Sequence, residues 1–243
     1  MVRVVERSDV EAGVWTITLD RPERRNAVDH ETLLALLDAQ RSVAGARAVV
    51  LTGAPPAFCA GADLTGVEQG IFARDLARVL LGFTTLTAPV IAAIDGPALG
   101  AGAQLAAVCD LRVATAESIV GVPAARLGLV IDAWTIDRIR TEFGAAITRG
   151  MLMAAETYTA QRLFGAGVVH RLGALDEALS WAGDIATLAP LSIGAHKFAL
   201  EADGSDGARG RFESLRQRAW SSDDAHEGRT AFLEKRRPAF RGR

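Results

Sequence analysis

One stretch constrains the fold more than any other: Ile94-Asp95-Gly96-Pro97-Ala98-Leu99-Gly100-Ala101-Gly102-Ala103-Gln104-Leu105-Ala106-Ala107-Val108-Cys109-Asp110. The apolar run over 89–94 reads as a buried strand, and it stops at the Asp95-Gly96-Pro97 turn. Small residues then lead into a helix whose first turn falls near 99–102. A helix start carries unpaired backbone N–H groups and the positive end of the peptide dipoles, which suit an anion or a polarised carbonyl oxygen. Side chains this small let a ligand approach the main chain closely. Tight packing of the helix on the strand accounts for the same composition equally well.

A second stretch separates these readings. Ala57-Phe58-Cys59-Ala60-Gly61-Ala62-Asp63-Leu64 follows the strand-like run Ala48-Val49-Val50-Leu51-Thr52-Gly53 and a Pro55-Pro56 turn. Again a strand delivers small residues around a glycine to an exposed edge. Two such edges can each give one N–H to the same carbonyl oxygen, forming an oxyanion hole of backbone alone.

The 243 residues suffice for one large domain, and 49% hydrophobic with 23% charged residues describes a globular chain. Twenty-seven basic against 29 acidic residues, a net charge of −2, argue against a nucleic-acid binder. No run is apolar and long enough to span a bilayer, and the N-terminus has no secretory pattern, so the cytoplasm is the simplest compartment. Cys59 and Cys109 do not make a disulfide framework and read as buried thiols. His30, His170, His196 and His226 are scattered without ligand spacing, so no metal site is expected.

Taken in order, residues 4–5 and 14–19 read as a strand pair around a turn at 9–13. Asp29 can cap a helix whose buried stripe is Leu33, Leu34, Leu36 and Leu37. A strand over 48–51, a helix over 71–86 and strands over 89–94, 111–114 and 118–121 follow. Beyond 133 the pattern turns helical, over 133–143, 145–152, 159–164, 176–188, 191–202, 208–220 and 224–235. One strand, Val168-Val169-His170, interrupts it, and 203–207 is a loop. His196-Lys197 reads as surface or subunit contact, while Asp63 and Asp110 read as capping or pairing groups.

Three motifs carry a resemblance. Leu19-Asp20-Arg21-Pro22-Glu23-Arg24-Arg25-Asn26-Ala27, then Phe58 to Leu64, then Asp95 to Gly102 match, in order and spacing, the enoyl-CoA hydratase/isomerase (crotonase) superfamily, and the likeness runs over 14–240. The resemblance implies an α/β fold, the crotonase (ClpP-like) spiral of ββα units with a helical C-terminal trimerisation region. It divides the chain into a core with the acyl-CoA site over 1–190 and a helical region over 191–243 that packs subunits and closes the coenzyme A site. A homotrimer or dimer of trimers is implied. No separate cofactor is implied, because coenzyme A arrives as part of the thioester ligand.

The resemblance also assigns roles. The two oxyanion N–H groups fall at Ala62 and Ala101, the second position being glycine in most of the family. Ala60 and Ala62 offer carbonyls to the adenine, with Asp63 and Leu64 beside them, and Arg24 and Arg25 lie where basic residues meet the phosphates. Phe232 and Lys235 match a C-terminal pattern that closes over the nucleotide of an adjacent subunit. A solvated basic face accounts for Arg25 and Arg236 taken singly.

Here the chain departs from the family's hydratases, which use two glutamates to activate a water. Those positions hold Gln104 and Ala124, and neither can move a proton. The pattern resembles the paralogues that lack both glutamates. Asp132 is where the family's 4-chlorobenzoyl-CoA dehalogenases keep a nucleophilic aspartate. Capping the next helix is the commoner job for an aspartate in that place, no nearby histidine or second carboxylate is visible as a partner, and the dehalogenases' supporting tryptophan is replaced by Ala124. Two functions stay open. One is a binder of fatty acyl- or enoyl-CoA thioesters without efficient hydratase activity. The other is an active isomerase, thioester hydrolase or weak hydratase in which Asp132 acts and Gln104 orients water.

Overall fold

A computed structural model describes residues 1–7, 9–63, 65 and 69–243. β1 (Val2–Glu6) and β2 (Val14–Leu19) form the expected antiparallel pair. Asp29 caps α1 (His30–Ser42) by accepting from the Thr32 N–H at 2.8 Å. β3 (Ala48–Gly53) lies parallel to β2, and after α2 (Gln69–Thr85) comes β4 (Val90–Ile94), parallel to β3. Every residue of β4 and all but the last of β3 are buried, as unbroken apolar strands covered on both faces should be.

A two-residue strand, β5 (Ala98–Leu99), then leads directly into α3 (Ala101–Val108). β6 (Leu111–Ala114) joins the main sheet beside β4, and β7 (Ile119–Gly121) pairs parallel with β5. α4 (Ala133–Phe143) and α5 (Ala145–Met153) precede β8 (Thr157–Thr159), α6 (Ala160–Gly165) and β9 (Arg171–Leu172). α7 (Leu175–Ala186), α8 (Pro190–Glu201), α9 (Asp206–Trp220) and α10 (Asp223–Glu234) complete the chain.

The main sheet has the order β1-β2-β3-β4-β6-β9, and a smaller sheet the order β5-β7-β8. The smaller sheet is the end of a second ladder that begins with single parallel bridges, Val28 to Ala62 and Cys59 to Ala98. Each turn of chain thus gives one strand to the main sheet, one extended segment to the second ladder, and then a helix. That is the ββα spiral. Leu33, Leu36, Leu80, Phe83 and Leu105 pack in the larger core against the sheet, while Ala178, Leu179, Ala182 and Ile185 of α7 cover Val50, Ile91 and Val113.

Three expectations need correction. The strand expected at Val168-Val169-His170 forms instead at Arg171–Leu172, because the N–H groups of Val168 and Val169 both turn back to the Leu163 carbonyl. Those valines are apolar because they are buried, not because they pair. In α1 the buried face runs through Thr32, Leu33, Leu36, Ala39 and Gln40, whereas Leu34 is 41% exposed. Lys197 is not at the surface. It is 5% exposed and donates to the Phe83 and Ala88 carbonyls, both at 3.1 Å, and to Asp110 at 2.7 Å.

Candidate active site

The geometry starts from the bridge between Val28 and Ala62. Val28 N–H donates to the Gly61 carbonyl and Asp63 N–H to the Val28 carbonyl, each at 2.8 Å. A parallel bridge uses the groups on either side of its central residue and leaves that residue's own N–H facing away. Ala62 N–H therefore points away from Val28. Next to it, Cys59 N–H donates to the Pro97 carbonyl at 3.0 Å and Leu99 N–H to the Cys59 carbonyl at 2.9 Å. These bonds lay the Cys59 loop along the chain that starts α3.

Two glycines permit the approach. Gly61 has φ +121° and Gly100 φ +53°, conformations that side chains with a Cβ rarely adopt. A methyl on Gly100 would stand 3.6 Å from the Gly61 Cα, so the segments touch where Ala62 and Ala101 follow. Ala101 is the first residue of α3, and its N–H has no carbonyl one turn back within the helix. All eight residues of α3 are buried. Its far end is held by cations: Arg112 donates to the carbonyls of Ala106 (3.2 Å) and Cys109 (2.8 Å), and Arg138 to that of Ala107 (2.9 Å).

Gln104 lies on the first turn of α3, 5% exposed, and its side-chain amide bonds to no described residue. Ala124 is partly buried at the start of the short turn after Pro123. Asp132 is the N-cap of α4, with one oxygen accepting from Thr135 N–H (3.0 Å) and the other from the Thr135 hydroxyl (2.6 Å). Two residues away on either side in the chain, Val130 is 91% and Trp134 39% exposed.

Around the cradle, Ala60 N–H donates to the Arg25 carbonyl at 3.0 Å, which joins the loop to the arginine turn. Arg24 and Arg25 are themselves exposed. Asp63 pairs with Arg21 at 3.2 Å. The Thr65 backbone N–H above all, with Arg21 in support, holds its carboxyl below the ordinary carboxylate value. Leu64 lies outside the described residues. Phe232 and Lys235 sit on another part of the fold, at the end of α10, where Phe232 is 82% exposed. Phe232 also lines a cleft of about 700 Å³ with Phe212, Trp220 and Phe240, and no described residue of the cradle borders it. Both thiols, Cys59 and Cys109, are fully buried, which pushes each up to about 12.

Sequence reasoning gave no role to Arg21 or Asn26, although both lie in the first motif. Asn26, 1% exposed at φ +57°, donates to the carbonyls of Ala54 (2.7 Å) and Ala57 (2.6 Å) and accepts from Arg21 N–H (2.9 Å). A polar residue between a strand end and a helix cap was the available signal.

The parallel sheet, the second ladder and the glycine-lined junction between them define an α/β protein of the crotonase fold. The sequence pattern of the Enoyl-CoA hydratase/isomerase family matches residues 9–243, and the chain belongs to that family. It is 42% identical over 237 residues to the probable enoyl-CoA hydratase echA6 of Mycobacterium tuberculosis (strain CDC 1551 / Oshkosh), covering 95% of this chain and 96% of that one. Against the 2,3-dehydroadipyl-CoA hydratase of Escherichia coli (strain K12) it is 33% identical over 248 residues, with 95% and 96% covered. The crystal structure of a putative enoyl-CoA hydratase/isomerase from Mycobacterium abscessus superposes with a TM-score of 0.89 at 30% identity, covering 100% of both chains.

Proposed function

We propose that this protein binds fatty acyl- or enoyl-CoA thioesters of fatty-acid metabolism, with the thioester oxygen on the N–H groups of Ala62 and Ala101, and does not hydrate them efficiently. The observation that carries the reading is the Val28–Ala62 bridge, which turns the Ala62 N–H away from Val28 and leaves it without a partner among the described residues. Each such donor stabilises an enolate-like oxygen by about 3–4 kcal/mol. Coenzyme A lies along Ala60, Ala62 and Asp63, with its phosphates toward Arg24 and Arg25. Subunits assemble as a trimer or a dimer of trimers, in which exposed Phe232 and Lys235 reach a neighbour's nucleotide.

Weak hydration follows from the side chains. Gln104 can hold a water but cannot take its proton, and Ala124 can do neither. The capping bonds from Thr135 occupy both Asp132 oxygens, which weighs against Asp132 as base or nucleophile. The test incubates the protein with saturated and 2-enoyl-CoA thioesters of graded length and identifies products by mass spectrometry, with binding followed by calorimetry. Saturable binding with every thioester returned unchanged is expected. Gain of one water, or release of free coenzyme A that Asp132→Asn abolishes, overturns the reading in favour of an enzyme.

A further inference from the structure

The Ala62 N–H is useful only if its peptide is held still; the bonds of Cys59 and Ala60 hold the loop ahead of it, and at the peptide itself the bridge to Val28 is a single backbone restraint. The chain supplies a second. Arg21 Nη1 donates to the Ala27 carbonyl at 2.6 Å, while Nη2 lies 3.2 Å from Asp63 Oδ2 and 3.0 Å from Asp29 Oδ2. Asp29 Oδ1 is meanwhile occupied by the N–H and hydroxyl of Thr32, and Asp63 Oδ1 by the N–H of Thr65. The Arg21 side chain is 17% exposed and that of Asp63 11%. Arg21 is itself anchored, since its N–H donates to Asn26 Oδ1 and its carbonyl accepts from the N–H groups of Arg24 and Asn26.

One guanidinium thus joins three parts: the turn before Val28, the cap of α1, and the residue after Ala62. Its planar fork reaches two acceptors, the Ala27 carbonyl and Asp63, at fixed angles and sets its charge against Asp29 as an ion pair, which the single ammonium of a lysine cannot do. Val28 and Asp63 are the two bridge donors, and Arg21 grips the residue before the first and the side chain of the second. We propose that Arg21 is a positioning residue that, through Asp63 and Asp29, fixes the Ala62 peptide so that its N–H stays aimed at the thioester oxygen. The aim at a thioester rests on the function proposed above. The clamp itself does not.

Two variants test it, Asp63→Asn, which keeps the shape and the Thr65 bond, and Arg21→Lys, which keeps the charge. The first readout uses ligand-free protein: hydrogen exchange of the Val28 and Asp63 amides by NMR. In both variants these amides should exchange about tenfold faster or more, while amides of β3 and β4 keep their rates. The second readout is the carbonyl stretch of a bound saturated acyl-CoA labelled with ¹³C at the thioester carbon. It should shift toward lower frequency in the wild type, and move back toward the free value in both variants when each is compared at saturating ligand. A purely structural role would lower the melting temperature and leave the band of the bound ligand where it was. Unchanged exchange at Val28 and Asp63 in both variants overturns the clamp. Faster exchange with an unshifted band in the variants overturns its role in aiming the N–H. If the wild type itself shows no carbonyl shift, the thioester reading fails while the exchange data still decide the clamp.

Discussion

In the proposed site Gln104 stands where a carboxylate would serve as base, and it is buried with its amide bonded to no described residue. Gln104→Glu combined with Ala124→Glu should therefore raise hydration of a 2-enoyl-CoA by about a hundredfold or more over wild type, read as the loss of enoyl absorbance. Either change alone should give far less, because water must be deprotonated on one side while the α-carbon is protonated. His170 makes a different prediction. Burial, and then the Arg112 charge, push it below its ordinary value of 6.5, and its Nδ1 accepts the Arg112 N–H at 3.2 Å. The unfolded chain takes up this proton as pH falls below 6.5 and the folded chain only later. Stability from the neutral ring is thus full above 6.5 and lost as pH falls through the folded value. Urea melts in that window should show a slope that His170→Gln reduces. At this scale the glycines and small residues were legible, because few residues fit their conformations. Arg21, Asn26 and Lys197 were not, because a buried polar side chain declares its role only through partners distant in sequence.

Helix α3 and the Cys59 loop behave as one element. A methyl on Gly102 would collide with the Cys59 carbonyl oxygen, an atom already fixed by the Leu99 N–H. Gly102→Ala should cost about 1–3 kcal/mol in thermal or chemical denaturation and weaken thioester binding as the loops part. Gly70→Ala in α2, where the added methyl meets no described atom within 4 Å, is the control and should be neutral or slightly stabilising. Elements with periodicity were readable in the sequence: α4 was expected over 133–143 and forms there. β5 and β8 were not, since strands of two and three residues exist through their pairing and carry no pattern of their own.

Across the whole molecule, a lysine joins the C-terminal helices to the sheet. Lys197 of α8 satisfies carbonyls at the end of α2 and just before β4, and pairs with Asp110, which also accepts the Val90 N–H at 2.7 Å. Lys197→Ala should cost about 3–5 kcal/mol, because it strands a partly buried carboxylate and two carbonyls. If the helices after 190 were coupled to the core only loosely, the variant would leave the main unfolding transition in place. A shift of that whole transition in a calorimetric scan is the expected outcome. The ββα spiral was legible only through the family resemblance that the three motifs carry, and its second ladder, which begins with single bridges at Val28 and Cys59, could be found only in three dimensions.

The burial of Cys59 turns the cradle into a clock. Its sulfur has no access to reagent while the loop rests on the start of α3, and the thiolate is scarce because burial raises the group to about 12. A thiol probe therefore modifies Cys59 only during excursions that lift the loop, and the rate measures how often they occur. Cys109, equally buried beyond the other end of α3, times openings at that end in the same sample. Any compound that seats on the closed loop should slow the Cys59 reaction in proportion to its occupancy and leave the ratio to Cys109 altered. A chain with two hidden sulfurs thus carries its own assay for what fits it.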